Sequence, residues 1–351
     1  MPNVSAYIID APTGAFHPTT IKRREPGPTE VLFDVKFAGI CHSDIHTARG
    51  EWGPTIYPLV PGHEIAGVVR QVGDQVTKFK VGDRVGVGCF VDSCGTCEQC
   101  KAGHEQFCHG NPGTIWTYNC IGRDDVPTAG GYSTAITVEQ NYICRIPDTI
   151  PLDKAAPLLC AGITTYSPLR HWGAGPGKCV AILGMGGLGH MGVQIAAALG
   201  ADVSVISQTM SKEADGRRFG ASHYYATNDP KTLKSLKHSF DLIICTVSTS
   251  TDLTSFVNCL RPGGAFVDVG LPQHKSQIAL GALCEGNRIL AGSQIGGIAE
   301  TQEMLDFCAA HNLAPQIEVV SGDEITAAYD KVVNSQVRYR YVIDTSTFPT
   351  I

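Results

Sequence analysis

The sequence predicts an α/β protein of two domains, a β-rich one and a doubly wound parallel sheet. Three observations predict it. Residues 1 to about 90 carry short apolar runs broken by Pro and Gly, the signature of strands and turns. The run Gly184-Met-Gly-Gly-Leu-Gly189 stands between a strand pattern and a helix pattern. Beyond it, strand-length apolar runs alternate with helical stretches as far as Ser293.

A length of 351 residues suits two domains better than one. Hydrophobic residues at 43% and charged residues at 17% suit a globular chain with a sizeable core. A net charge of -6 without a basic block gives no footing for nucleic acid or for an anionic membrane surface. No apolar run reaches the roughly 18 residues of a membrane span. The start, Met1-Pro-Asn-Val-Ser-Ala-Tyr7, lacks the basic and apolar regions of a secretory signal. A cytoplasmic location is expected. There, clustered cysteines among the 14 present are read as metal ligands rather than disulfides.

In chain order, Ser5 to Asp10, Glu30 to Phe37 and Glu64 to Val72 read as strands, and Val81-Gly-Asp-Arg-Val85 as a turn between strands. Short strands with many turns predict a small barrel-like domain. Inside it, Gly39-Ile-Cys-His-Ser-Asp-Ile-His46 and Gly62-His-Glu64 gather a thiol, imidazoles and carboxylates. Zinc takes thiolate and imidazole ligands, and a catalytic zinc keeps three protein ligands and one open position. Cys41 and His63 are two candidates, and Cys160 in the apolar run Leu158-Leu-Cys-Ala161 is the third.

Cys94-Gly-Thr-Cys97-Glu-Gln-Cys100 and Cys108 have the spacing of a closed all-thiolate zinc site. An iron–sulfur cluster is the alternative. A closed site does no chemistry; it pins a loop that lacks a core of its own. The scattered Cys179, Cys245, Cys259 and Cys308 lie in apolar strand or helix patterns and are expected in the core.

Gly130-Gly131 reads as a turn before a strand ending at Thr137, and Pro147 to Pro151 as a connection. The pattern is helical from Asp153 to Arg170, and Gly173 to Gly177 mark a loop. Lys178 to Leu183 is a buried strand, His190 to Leu199 a helix stopped by Gly200, and Val203 to Ser207 a second strand. In that setting the glycine run is a dinucleotide fingerprint: it permits a tight turn and close approach of a pyrophosphate to a helix N-terminus. A carboxylate after the second strand would read a ribose 2'-hydroxyl. This chain has Ser207-Gln-Thr-Met-Ser-Lys212 instead, hydroxyls and a lysine that suit a 2'-phosphate, so NADP is favoured over NAD.

The alternation continues with a strand at Asp241 to Thr246, a helix at Leu253 to Leu260, a Pro262-Gly-Gly turn, and strands at Ala265 to Gly270 and Ile289 to Ser293. A helix (Glu300 to Ala310), a strand (Ile317 to Val320), a helix (Ile325 to Val333) and a last strand (Tyr339 to Asp344) are expected to return to the first domain.

Taken together, Gly39-Ile-Cys-His-Ser-Asp44, Pro61-Gly-His-Glu64, the four clustered cysteines, Leu158-Leu-Cys-Ala-Gly-Ile-Thr-Thr-Tyr-Ser167, Gly184-Met-Gly-Gly-Leu-Gly-His-Met-Gly192 and Val337-Arg-Tyr-Arg-Tyr341 resemble the zinc-dependent medium-chain alcohol dehydrogenases. Within that family the resemblance is to the cinnamyl alcohol dehydrogenase subgroup, and it covers almost the whole chain. It implies a GroES-like catalytic domain over residues 1–153 and 294–351, and an NADP-binding Rossmann domain over 154–293. It also implies two zinc ions per subunit, a homodimer, and no nucleic-acid or membrane partner. The implied oxidoreductase activity is reversible hydride transfer between NADP(H) and primary alcohols or aldehydes, of cinnamyl or benzyl type or medium-chain aliphatic. A polyol dehydrogenase or a C=C or C=N reductase on the same fold is the alternative. A non-catalytic zinc- and nucleotide-binding sensor is the rival from another class.

By position, the resemblance makes Cys41, His63 and Cys160 ligands of the catalytic zinc, with Glu64 a carboxylate able to approach the metal. Asp44 would orient His63. Ser43 and His46 would pass a proton between substrate, cofactor ribose and solvent. Thr164, Gly184, Met185, Gly186, Gly187, Leu188, Gly189, Ser207, Gln208, Thr209, Lys212, Thr246, Gly270, Ser293, Gln294 and Ile295 would line the cofactor. Gln208 departs from the basic or hydroxyl residue of some relatives, and Met185 from the usual Leu. Trp52, Tyr57, Trp116 and Ile295 are chosen as a substrate pocket because they offer large apolar contact area.

Overall fold

The computed structural model describes residues 2–249, 252–272 and 274–350. The chain forms two compact units, Met1–Ile163 with Gly296–Ile351, and Thr164–Ile295.

The first unit opens with β1 (Asn3–Ile8) and β2 (His17–Lys22), an antiparallel pair. β3 (Glu30–Ile40) follows, then the short helix α1 (His42–Ala48), β4 (Ile65–Val72) and β5 (Arg84–Val87). β6 (Phe90–Asp92), α2 (Glu98–Lys101) and β7 (Ile115–Trp116) belong to a lobe of little regular structure, in which β6 and β7 pair with each other. β8 (Ala135–Glu139), β9 (Cys144–Arg145) and α3 (Leu152–Pro157) complete this stretch. The unit continues past residue 153, the boundary expected from sequence, as far as Ile163. The reason is packing: α3 lies on β3 and β4, and Ala155 to Gly162 are buried.

The second unit holds most of α4 (Ile163–His171), then β10 (Cys179–Leu183), α5 (Gly189–Ala198), β11 (Asp202–Ser207), α6 (Glu213–Arg218) and β12 (His223–Ala226). α7 (Thr232–Ser235), β13 (Phe240–Cys245), α8 (Thr254–Val257), β14 (Leu260–Asp268), α9 (Gly281–Cys284) and β15 (Ile289–Gly292) follow. The strands form one sheet in the order β12-β11-β10-β13-β14-β15, and every pairing is parallel. Strand order reverses between β10 and β13, the position where such sheets bind ligands at their carboxyl ends. A sheet covered on both faces needs apolar runs without alternation, and Val180, Ala181 and Ile182 of β10 are fully buried.

Two expectations are corrected here. Pro262-Gly-Gly does not precede its strand but lies within β14: Leu260 already pairs with Phe240, and the ladder resumes at Ala265 with Leu242. The residues between bulge outward, with Gly263 at φ +77. The helix expected to reach Leu260 shrinks to α8, because Leu260 belongs to the sheet and Asn258 and Cys259 make the turn into it.

The chain returns to the first unit through α10 (Ile298–Ala310), β16 (Ile317–Val320), α11 (Ile325–Val333) and β17 (Arg340–Asp344). Its larger sheet runs β16-β17-β3-β4-β5-β9, with β8 also on β3. β3 is 11 residues long, which lets one edge serve two partners: Glu30 to Asp34 pair with β8, and Phe37 to Ile40 with β17. The last strand is thereby set beside the turn that leads into α1. Among the described residues no helix is long and apolar enough to cross a membrane.

Candidate active site

Cys41, His63, Glu64 and Cys160 converge inside the first unit. All four are buried, and one ligand atom from each lies within 4.8 Å of every other. The two sulfurs are 4.0 Å apart, and His63 Nε2 is 3.3 Å from Cys160 Sγ. Two thiolates on one tetrahedral zinc, at metal–sulfur bonds of about 2.3 Å, stand roughly 3.8 Å apart. The set fits a single zinc ion.

Local structure explains the convergence. Cys41 is the N-cap of α1, and Asp44 completes a capping box by accepting from the Cys41 backbone N–H at 2.9 Å. His63 and Glu64 lie immediately before β4. Cys160 sits in a π-helical turn, Leu158–Gly162, following α3. Such wide turns recur at functional sites because they re-aim side chains that a regular helix would stack.

Asp44 also accepts from Gly62 N–H at 3.1 Å and from His63 Nδ1 at 3.0 Å. With Nδ1 donating to Asp44, Nε2 is the nitrogen turned toward Cys160. Glu64 is fully buried, and neither of its oxygens has a hydrogen-bond partner. Arg340 Nη1 lies 3.2 Å from Glu64 Oε1, close enough to pair as ions although the line is poor for a hydrogen bond. Burial pushes the Glu64 carboxyl up to about 8, against the pull of Arg340. Its contact with Cys160 holds the Cys41 thiol well down, while Cys41 and Cys89 hold the Cys160 thiol well up. Two buried thiolates need a cation between them to ionise together. Glu64, whose oxygens accept no hydrogen bond, lies beside them with Arg340 as its ion-pair partner.

Ser43 Oγ is 3.7 Å from Cys41 Sγ. One turn on, His46 bonds through Nδ1 to Glu51 and stacks on Trp52, with ring centroids 4.8 Å apart. Its Nε2 is buried without a partner. The sequence does not single out Glu51 or Cys89, and it offers Arg340 only within the run Val337 to Tyr341. Only Glu51 carried a local signal, an acid placed by the Arg49-Gly50 turn beside a helix-borne histidine.

The four expected pocket residues are not gathered by any described contact. Trp52 is 42% exposed on the His46 ring. Tyr57 donates to Ala48 O at 2.7 Å and packs on the core, and Trp116 is half-buried in β7. Ile295 belongs to the second unit, at φ +43.

The second cluster lies in the β6–β7 lobe. Cys94, Cys97, Cys100 and Cys108 again place their sulfurs within 4.8 Å of one another, half-exposed. Backbone N–H groups of Thr96 and Cys97 donate to Cys94 Sγ at 3.4 and 3.3 Å and bring that thiol down to about 5. Loop amides thus stabilise thiolates where the loop has no apolar core, which suits a structural zinc.

In the second unit the glycine run joins β10 to α5. Gly184 adopts φ +97, closed to most side chains, and a Cβ on Gly189 would stand 2.0 Å from Gly184 O. A Cβ on Gly186 would meet nothing within 4 Å, so that face is open to a pyrophosphate. Lys212 reaches back and donates to Met185 O at 2.9 Å. Ser207 ends β11, Gln208 is exposed, and Thr209 Oγ1 bonds to Ser211 Oγ at 2.9 Å. Glu213, the first carboxylate in the segment, is paired with Arg217. Thr246 Oγ1 donates to Leu183 O at 3.0 Å, next to Gly184. Gly270 and Ser293 follow β14 and β15, Gln294 is exposed beside Ile295, and Thr164 is buried at the start of the unit.

A thiolate–imidazole cation site and a dinucleotide fingerprint on a doubly wound sheet are the equipment of a metal-assisted, nicotinamide-linked dehydrogenase. Residues 27–148 match the family described as alcohol dehydrogenase GroES-like domain, and residues 187–310 the zinc-binding dehydrogenase family. The NADP-dependent alcohol dehydrogenase C 1 of Mycolicibacterium smegmatis is 60% identical over 347 residues, covering 99% of each chain. The structure of a cinnamyl alcohol dehydrogenase from Sorghum bicolor superposes with a TM-score of 0.95 at 40% identity, over 100% of both chains. That of the CAD from Helicobacter pylori, complexed with NADP(H), superposes at 0.92 and 43% identity, over 98% of both. The chain belongs to the zinc-binding alcohol dehydrogenase family.

Proposed function

We propose that this protein is an NADP(H)-dependent alcohol dehydrogenase that interconverts primary alcohols and aldehydes, aromatic of cinnamyl or benzyl type or medium-chain aliphatic. The observation that carries the reading is the buried set of Cys41, His63 and Cys160, with Asp44 fixing the His63 tautomer. Zinc held there supplies Lewis-acid polarisation of the substrate oxygen. The protein's own groups handle the proton. Ser43 takes it from the substrate hydroxyl and His46 passes it on, while Glu51 holds the ring at Nδ1 and balances the charge when Nε2 is protonated. Lys212 and the hydroxyls of Ser207 and Thr209 receive the 2'-phosphate. The cysteine quartet holds a second, structural zinc.

The first unit serves as the catalytic domain and the second as the NADP-binding domain. A homodimer is supported by the edge strand β15, whose Ile289 and Leu290 are exposed and whose outer edge has no partner among the described strands. The 14 unpaired cysteines suit the cytoplasm.

The test is an NADPH-consumption screen over aromatic and aliphatic aldehydes, with metal analysis alongside. Turnover of cinnamaldehyde or benzaldehyde, NADPH preferred over NADH, and two metal equivalents per chain are expected. A fully metallated protein that turns over no aldehyde overturns the reading, as does a preference for NADH.

A further inference from the structure

We infer that Ser93 is a positioning residue of the cysteine quartet: its hydroxyl donates to the Cys100 thiolate and is itself held by the hydroxyl of Tyr142. The inference rests on the reading that Cys94, Cys97, Cys100 and Cys108 hold a structural zinc. Ser93 Oγ lies 3.1 Å from Cys100 Sγ. That is closer than the backbone N–H groups that reach Cys94 Sγ at 3.3 and 3.4 Å, or the Cys94 N–H that reaches Cys108 Sγ at 3.3 Å. Tyr142 Oη lies 2.8 Å from Ser93 Oγ and 3.4 Å from Ser93 O. A thiolate bound to a metal carries no proton, so Ser93 O–H is the donor and its oxygen is left to accept from Tyr142. Four thiolates outweigh the charge of one zinc dication, and hydrogen bonds to the sulfurs spread the excess. Ser93 is 1% exposed and Tyr142 7%, so water does not take the place of either hydroxyl.

Both hydroxyls sit on fixed backbone. Ser93 follows β6; its N–H donates to Asp92 Oδ1 at 2.7 Å, and its carbonyl accepts from Arg123, which also pairs with Asp92. Tyr142 ends the 3₁₀ turn Gln140–Tyr142 between β8 and β9, and its ring meets Phe90 edge-on with centroids 6.0 Å apart. The pair thus ties Cys100 to a residue beyond the loop that carries the four cysteines. Tyr132 serves as an internal comparison. Its hydroxyl accepts from Tyr329 at 3.2 Å, inside a core cluster that holds none of the quartet.

The experiment uses the full-length zinc protein and its cadmium-substituted form, comparing wild type with Ser93→Ala, Tyr142→Phe, Tyr132→Phe and Cys100→Ala. The readouts are the rate of metal transfer to a chromogenic chelator and the cadmium NMR resonance of each site. The equivalent and the resonance missing in Cys100→Ala identify the quartet. Ser93→Ala is expected to release that equivalent about 10- to 100-fold faster than wild type, the usual effect of losing a group behind a ligand, and to move that resonance alone. Tyr142→Phe moves both readouts the same way by a smaller amount, because the ring stays and Ser93 keeps its proton. Tyr132→Phe behaves as wild type. Wild-type release with an unmoved resonance in Ser93→Ala or in Tyr142→Phe overturns the inference, and the second variant carries the test where the first does not fold. Equal acceleration in Tyr132→Phe overturns it too, since that marks a general loosening. Full metal content in Cys100→Ala overturns the metal-site reading beneath it instead.

Discussion

Arg340 and Glu64 face each other in the interior with Nη1 and Oε1 3.2 Å apart, both side chains buried. Arg340 also donates to Ile40 O at 3.2 Å, tying the start of β17 to the end of β3. Removing one member of a buried ion pair leaves the other uncompensated, at a cost of about 3–5 kcal/mol. Above about pH 8, where the Glu64 carboxyl is ionised, Arg340→Met is expected to lose stability of that order in urea unfolding, and Arg340→Met with Glu64→Gln to recover much of it. Equal losses in the single and double variants would show that the pair is not coupled.

Gly39 leaves room for the same carboxylate. A Cβ there would stand 1.9 Å from Glu64 Oε2, and the backbone cannot retreat because Gly39 N–H donates to Glu64 O at 2.9 Å. Gly39→Ala is expected to cost about 1–3 kcal/mol through overpacking. In a Glu64→Ala background, where the obstructing carboxylate is gone, the same Gly39→Ala change should cost less than it does in wild type. A melting temperature unchanged by Gly39→Ala alone would show that the strand can shift.

The proton route predicts a graded pair of effects. His46→Ala should lower kcat by about 100-fold, the low end of general acid–base catalysis, with full metal content. Glu51→Gln keeps the imidazole but weakens its hold, and should lower kcat by roughly tenfold. Metal loss in His46→Ala would instead make His46 a ligand.

Lys212 separates the two nicotinamide cofactors. A hydrogen bond to a charged group is worth about 1.5–3 kcal/mol. Lys212→Ala should therefore raise the KM for NADPH by about 10- to 100-fold and leave that for NADH nearly unchanged. Equal changes for both would place Lys212 on the glycine loop alone, where it already bonds to Met185 O.

The cysteine lobe has α2 as its only α-helix and no buried residue on it, so the metal should provide its stability. Cys100→Ser is expected to remove one metal equivalent and lower the melting temperature without touching Cys41, His63 or Cys160. Retention of both equivalents at full thermal stability would deny the cluster a structural ion.

What could be read before folding was whatever neighbours along the chain encode. The spacing of Cys94, Cys97, Cys100 and Cys108 and the glycine run at Gly184 are local, because a single loop or turn builds each site. Cys41, His63 and Cys160 were legible through motifs, not through proximity, since 119 residues separate the two thiols. Arg340 lies in the run Val337 to Tyr341 that carries part of the resemblance, but nothing local marks it as the partner of Glu64. Arg340 reaches Glu64 only because β17 pairs with β3. Pro262-Gly-Gly misled for the opposite reason: its turn chemistry is real, but β14 absorbs it as a bulge.

The pairing of β3 with β17 also sets an order of assembly. Thr164–Ile295 is one uninterrupted segment, whereas the other unit joins Met1–Ile163 to Gly296–Ile351. In chain order the whole of the second unit precedes β17, so it can fold while Glu64 still lacks Arg340. The buried surroundings of Cys41, His63 and Cys160 close only once β17 has joined β3.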